Sequence, residues 1–447
     1  MEQTVHTGLV RAIRRWDLVA LGINVIIGAG IFGLPSRIYG LTGVWSLVAY
    51  LICALLIILI ILCFAEVGSR FEGTGGPYLY TRMAFGPLVG FEVGWLMWLA
   101  RLTAFAALCN LVVGSLSYLW PAAGVGLWRV VTITAVVVSL TVVNVIGVRE
   151  SALASDIFTV GKLALLVSFV AVGLFFVSPG QFSFSPRPDY GSFSTAVLLL
   201  VFAFSGFEMT VIPSGEIRDP QRHIPFALLT ATGVVVLLYL LIQFVCIGTL
   251  PELARSERPL IDASSHFVGA AGATIMSVGA MFSVTGTLNT VMLTAPRLMF
   301  AMAEQGQLPR ILAATHWRFH TPWVAILVSA AIMLAFTLFG TFISALTIST
   351  VIRLLVYIAT CLSVPVLRRR GDVPRPAFRV PAGTAVSLAA TVLSVWLLSN
   401  STWNDAWLVG TAAALGLLIH LGYLLVKRAP LAAKEIDPVG TPQLKVK

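Results

Sequence analysis

The chain has 447 residues, 58% of them hydrophobic and 11% charged, with a formal net charge of +10 and a mean hydropathy of +0.94. An ordinary soluble domain carries roughly 25% charged residues, so this balance excludes a soluble protein. The basic residues sit in short loops between apolar runs and form no basic stripe with interleaved aromatics, which excludes a nucleic-acid surface.

A spanning helix needs about 20 mainly apolar residues. Twelve segments satisfy this, at about 17–39, 44–68, 87–118, 127–147, 156–178, 192–215, 225–249, 268–302, 323–340, 343–367, 382–399 and 404–426. The expected fold is therefore all-α in the lipid bilayer: a tail over 1–15, a membrane domain over 16–427 and a tail over 428–447. An even number of spans puts both termini on one side. Arg11, Arg14, Arg15, Arg70, Arg82, Arg218, Arg222, Arg310, Arg318, Arg368, Arg369 and Arg370 fall on that side, against Arg37, Arg129, Arg187, Arg255 and Arg258 on the other. The positive-inside rule then makes both termini cytoplasmic. No small-residue cleavage site follows the first run, so no cleaved signal peptide is expected.

The first span reads Ile26-Ile27-Gly28-Ala29-Gly30-Ile31-Phe32-Gly33-Leu34-Pro35. Its glycines lower helix propensity and bare the backbone. Small residues also allow close helix packing, so a break and a tight helix contact both fit. Gly28, Gly30 and Gly33 spell G-x-G-x-x-G, but no strand precedes them and no acidic residue follows about 20 positions on, so a dinucleotide cofactor loop is rejected. Arg101 in the third span stays charged and reads as a structural partner for a carboxylate such as Glu66 or Glu208. Lys162 in the fifth span lies near its cytoplasmic end. It either snorkels to the interface or, facing the bundle, loads and releases a proton.

The sixth span repeats the first span's feature in Phe202-Ala203-Phe204-Ser205-Gly206-Phe207-Glu208, with Pro213 after it. A carboxylate at membrane depth is costly and marks a functional candidate. Two interrupted helices in corresponding places point to an inverted-repeat transporter with a central site. Freed N–H groups at a half-helix start suit a carboxylate, and freed carbonyls at the preceding half-helix end suit an ammonium, so a zwitterionic amino acid fits both.

Arg297 in the eighth span and Arg353 in the tenth read like Arg101, as structural cations. His316 and His320 are four apart in a loop with no third ligand, so no metal site is expected. All five cysteines, Cys53, Cys63, Cys109, Cys246 and Cys361, lie within apolar runs and read as core residues. No nucleophile–base arrangement stands out, so no catalytic residue and no enzyme activity are expected. Asn400-Ser401-Thr402 fits a glycosylation pattern.

Over essentially its whole length the chain resembles the amino acid-polyamine-organocation superfamily. The resembling pieces are IIGAGIFGLP at 26–35, Glu66 followed by GTGGPYLY at 73–80, FAFSGFE at 202–208 with GEIRDPQRHIP at 215–225, and RLMFAMAEQGQLPRIL at 297–312. That resemblance implies a leucine-transporter-type fold, with inverted repeats at about 16–180 and 190–368 and peripheral helices at about 382–427. Matching residue by residue with relatives such as arginine/agmatine antiporters, it implies a substrate carboxylate on the N–H groups of Ala29 and Gly30, with Gly28 in the same substrate-binding break. The ammonium falls on carbonyls of Ile26, Phe202 and Ser205, with Gly206 at the break. Phe202 is the implied gate, Phe105 and Val291 the implied contacts of the substrate side chain, and this apolar lining favours a neutral or aliphatic substrate.

Lys162 matches a lysine that replaces a sodium ion in some relatives, with Ser283 and Thr287 as neighbours, which implies proton coupling and disfavours sodium. The expected function is proton symport of amino acids by alternating access in an inner cell membrane. No cofactor and no obligatory protein partner are expected. Amino acid exchange is the alternative, and a transporter-fold nutrient sensor a further one; a channel lacks its expected charge rings.

Overall fold

The computed structural model describes residues 10–28, 30–339, 342–399 and 403–432. Ala29, Asn400, Ser401, Thr402 and most of both tails lie outside these. Among the described residues every regular element is helical, and the extended contact is an isolated parallel bridge between Ile13 and Ile217. In chain order the helices are α1 (Arg15–Ile26), α2 (Gly30–Thr42), α3 (Ser46–Gly68), α4 (Pro77–Phe85), α5 (Pro87–Leu119), α6 (Gly126–Ile146), α7 (Val148–Gly173) and α8 (Tyr190–Phe204). There follow α9 (Pro220–Thr249), α10 (Pro259–Val268), α11 (Ala270–Glu304), α12 (Trp323–Phe339), α13 (Phe342–Arg369), α14 (Gly383–Leu398) and α15 (Trp403–Ala432).

Among the described residues nine segments are long and apolar enough to cross a membrane, and α12 and α14 are shorter apolar helices. Helix ends and apolar ends differ where a helix leaves the hydrocarbon. α7 begins at Val148, not near 156, because its first turns carry Arg149, Glu150, Ser151 and Ser155 and do not register as an apolar run. α4 and α10 were not anticipated, being shorter than a bilayer; their local mark is a proline at the first helical turn after a non-helical residue.

Two apolar clusters fill the interior. One gathers α1, α2, α3, α8, α9 and α10 with parts of α7, α13 and α14. The other gathers α5, α6, α11, α12 and the middle of α13. Neighbouring residues at the end of α1 divide between them: Ile26 packs in the first cluster and Val25 in the second. The end of α1 therefore lies where the two packed bodies meet.

Candidate functional site

The first predicted span is two helices, α1 ending at Ile26 and α2 starting at Gly30. The sixth is broken after α8: Ser205 is extended (φ −78°, ψ 162°), Gly206 has φ +116°, and a single tight turn covers Phe207–Met209. A side chain at Gly206 would meet both a left-handed backbone and the Val25 carbonyl oxygen, 2.6 Å from where its Cβ would stand. A Cβ on Gly30 would stand 3.1 Å from Ala203 Cα. The two breaks therefore lie against each other at backbone contact, which is what glycines at these positions permit.

The carbonyls released at these half-helix ends are capped by side chains from neighbouring helices. Tyr239, buried on α9, donates its hydroxyl to Ile26 O (3.0 Å) and Ala203 O (3.3 Å), holding both half-helix ends at once. Lys162 is fully buried on α7, and its Nζ donates to Asn24 O (2.9 Å), Ile27 O (2.7 Å) and Ser283 O (3.1 Å). An ammonium has three protons and each meets a carbonyl. The positive charge also sits at the negative end of the α1 dipole. Thr287 Oγ1 donates to Asn24 O (3.3 Å), and Ser283 Oγ lies 3.5 Å from Ile27 O. Lys162, Ser283 and Thr287 are thus together at the end of α1, and the snorkelling alternative does not describe the lysine.

Glu208 is buried beside the second break. Its Oε1 pairs with Arg101 and lies 3.7 Å from Arg353 Nε; its Oε2 accepts from Tyr357 Oη (2.8 Å) and the Gly206 N–H (2.9 Å). Arg353 also donates to Ser205 Oγ, and its guanidinium lies 5.7 Å from the centre of the Phe202 ring. α5, α13 and the broken sixth segment thus converge on one carboxyl group at the Ser205–Gly206 break.

The other candidate residues are placed as follows. Ile26 O already accepts from the Gly28 N–H (2.8 Å) as well as from Tyr239, and Phe202 O accepts from Ser205 N (3.3 Å) and Oγ (2.8 Å). Neither carbonyl is idle as an ammonium acceptor: both close their own backbone turns. Glu66 pairs with neither Arg101 nor Arg297. It is gripped in fork geometry by Arg368 (2.7 and 2.6 Å), with Val380 N–H (2.9 Å) and Arg70 (3.7 Å) beside it, at the end where α3 and α13 finish. Arg297 instead holds Glu216 through two bonds (2.5 and 2.8 Å), both groups fully buried. Phe105 and Val291 are buried together in the second apolar cluster. Ala29 lies outside the described residues.

A cavity of about 650 Å³ runs along α2 and α8 away from the N-terminal end, lined by Gly33, Ser36, Arg37, Thr195, Leu199 and Arg255 among others. Of its lining, Gly33 is three residues past the start of α2 and Leu199 three before Phe202. The opposite end is bolted. Ile13 N–H donates to Glu216 O (3.0 Å), Arg218 N–H to Ile13 O (2.9 Å), Arg218 Nε to Arg11 O (3.1 Å), and Arg11 pairs with Glu72 (2.6 Å).

Sequence reasoning left Asn24, Tyr239, Glu216 and Tyr357 without a role. Asn24 Nδ2 donates to Gly286 O (3.0 Å) and Thr290 Oγ1 (2.9 Å), tying α1 to α11. A polar side chain inside an apolar span was the available signal for Asn24. Tyrosines give little such signal, since their rings pass as apolar. Among the described residues no group of three His, Cys, Asp or Glu is placed to hold a metal ion. His316 Nδ1 instead accepts from the Arg318 and Phe319 N–H groups (3.1 and 3.3 Å) and shapes its own loop.

The serine/threonine exchanger SteT of Bacillus subtilis (strain 168) is 29% identical over 424 residues, covering 93% of this chain and 96% of that protein. The methylthioribose transporter of the same organism is 28% identical over 448 residues, covering 94% and 95%. The branched-chain amino acid permease BcaP, also of B. subtilis, is 26% identical over 450 residues, covering 93% of each chain. The sequence profile described as amino acid permease matches residues 13–424, nearly the whole length, and the chain belongs to that family.

Proposed function

We propose that the chain is a secondary active transporter of neutral L-amino acids that works by alternating access with proton symport. In this reading twelve spans cross an inner cell membrane with both termini cytoplasmic. Segments at about 16–180 and 190–368 are inverted repeats, and 382–427 forms two peripheral helices. The observation that carries it is the pair of abutting helix breaks, one capped by a fully buried lysine and the other gathered around Glu208. Backbone left open at membrane depth is tolerated only where protein or an aqueous cavity satisfies it, and such breaks are where transporters of this architecture place substrate.

Ala29 and Gly30 then present N–H groups to the substrate carboxylate, while the Gly28 N–H stays on Ile26 O and closes the turn before them. Because Ile26 O and Phe202 O are held internally, the ammonium has to displace Tyr239 or Ser205 to use them. Phe202 is the gate and is partly exposed. The first cluster rocks against the second, and the contacts of Ile13 and Arg11 with Glu216, Arg218 and Glu72 open when the inner side opens. Lys162 serves as the proton carrier, with Ser283 and Thr287 lining its seat. The names of two relatives, a serine/threonine exchanger and a branched-chain amino acid permease, support neutral substrates.

The first of these names also favours a second reading, obligatory exchange. Uptake of labelled alanine, serine and leucine into liposomes holding the purified protein separates the two. Accumulation driven by an inward proton gradient into empty liposomes is the expected result. Uptake only into amino acid-loaded liposomes makes the chain an exchanger, and no uptake under either condition sinks the transport reading.

A further inference from the structure

Two guanidinium groups share a single carboxyl group beside the sixth-segment break. Glu208 has its acceptor sites engaged: Arg101 on Oε1, and Tyr357 and the Gly206 N–H on Oε2. Arg101 Nε and Nη1 and Arg353 Nε are buried and have no hydrogen-bond partner. Arg101 is fully buried and Arg353 is 6% exposed. A buried ionised donor left without an acceptor costs more than a neutral one, and natural interiors seldom retain several in one place without a reason. The space between these groups and Met97, Ala100, Ile352 and Val356 amounts to about 160 Å³ counting every gap between atoms, and it is too tight to admit a water molecule. Water is therefore not the missing acceptor in this conformation.

The neighbouring groups show where an acceptor would come from. Arg353 already bonds the hydroxyl oxygen of Ser205 and lies over the ring of Phe202, both residues of the break that the proposed function assigns to substrate. Ser205 Oγ in turn donates to Phe202 O (2.8 Å), so it stands in as a local acceptor for Arg353. A substrate oxygen reaching past Phe202 can take that place, or meet the unpartnered Arg353 Nε, while Ser205 keeps its bond to Phe202 O.

Resting on that assignment, we propose that Arg353, backed by Arg101, is the specificity-determining residue of the site. It selects amino acids whose side chain carries an oxygen acceptor over aliphatic ones of the same shape. The neutral, apolar lining expected from Phe105 and Val291 then describes one wall of the site, and Arg353 describes the other.

The test uses isosteres, so that size cannot explain the outcome. Uptake of labelled alanine by the wild-type protein in liposomes is competed with threonine against valine, and with asparagine against leucine. A hydrogen bond to a charged donor corresponds to about a tenfold to hundredfold difference. The expected result is that at least one oxygen-bearing competitor of each pair's matched shape inhibits about tenfold more strongly than its aliphatic partner, and that Arg353→Met abolishes the difference. Valine and leucine inhibiting as well as or better than threonine and asparagine overturns the inference while leaving the transport reading intact. Because the wild-type comparison stands alone, an Arg353→Met protein that fails to fold does not blunt the test. Absence of alanine uptake altogether is the separate failure of the proposed function.

Discussion

Lys162→Ala is expected to reduce proton-driven amino acid accumulation in liposomes at least about tenfold, toward the level of protein-free vesicles. The ammonium makes three hydrogen bonds to carbonyls of α1 and α11, and loss of even one charge-assisted bond, about 1.5–3 kcal/mol, corresponds to a factor of ten or more. The replaced side chain also leaves the end of α1 without a charge against its dipole. Thr287 and Ser283 still reach Asn24 O and Ile27 O, so those carbonyls keep partial partners and the helix end is not abandoned. Accumulation by folded Lys162→Ala protein at the wild-type rate and to the wild-type level would remove the lysine from the coupling path. Exchange measured in amino acid-loaded liposomes supplies the companion readout, because a carrier that merely needs the lysine for coupling retains exchange.

The second large effect concerns stability. Glu216 and Arg297 are both fully buried and joined by two bonds, so Glu216→Ala leaves an unpaired guanidinium in the interior and is expected to cost about 3–5 kcal/mol. Arg11 and Glu72, each about half exposed, form the contrasting case: Glu72→Ala should cost about 0–1 kcal/mol, since solvent screens that pair. Thermal unfolding of the two purified variants compares them directly, with a far larger drop in midpoint for Glu216→Ala. The double replacement Glu216→Leu with Arg297→Met should recover much of the loss, because apolar groups of similar volume remove both desolvated charges. Equal midpoints for Glu216→Ala and Glu72→Ala contradict the assignment. The same pair fastens the loop after the sixth segment to α11, while Glu216 O receives Ile13 N–H, so its loss also loosens the bolted end of the molecule.

The legible part of this molecule was the part governed by transfer free energy and by glycine. Apolar runs located the long helices because each must satisfy its own backbone in lipid, and glycines flagged the two breaks; at Gly30 and Gly206 a side chain would crowd the other broken segment. Lys162 was singled out by charge alone, but its seat on Asn24 O, Ile27 O and Ser283 O is a tertiary fact; residue type and span left snorkelling open, and the family resemblance favoured the inner seat. Glu208 was among the carboxylates named for Arg101, and the two pair, but the other pairings were illegible. Nothing in one dimension tells that Arg297 takes Glu216 and Arg368 takes Glu66, since any buried cation seeks any carboxylate within reach. Tyr239 was equally hidden, a tyrosine in an apolar helix whose hydroxyl caps two chains far apart in sequence. The short helices α4 and α10 escaped because no apolar run marks a helix that does not cross the bilayer.

The most direct test of the central claim, that amino acids bind where the two broken helices meet, is equilibrium binding of labelled alanine, serine and leucine to the purified protein. Gly206→Ala and Gly233→Ala provide the comparison: a Cβ at the first collides with the Val25 carbonyl, whereas one at the second, on α9, meets nothing within 4 Å. Saturable binding of at least one amino acid by wild type and Gly233→Ala, and its loss in Gly206→Ala protein that still elutes as a single folded species, is the predicted result. Absence of binding to the wild type, or unchanged affinity in folded Gly206→Ala, would contradict it.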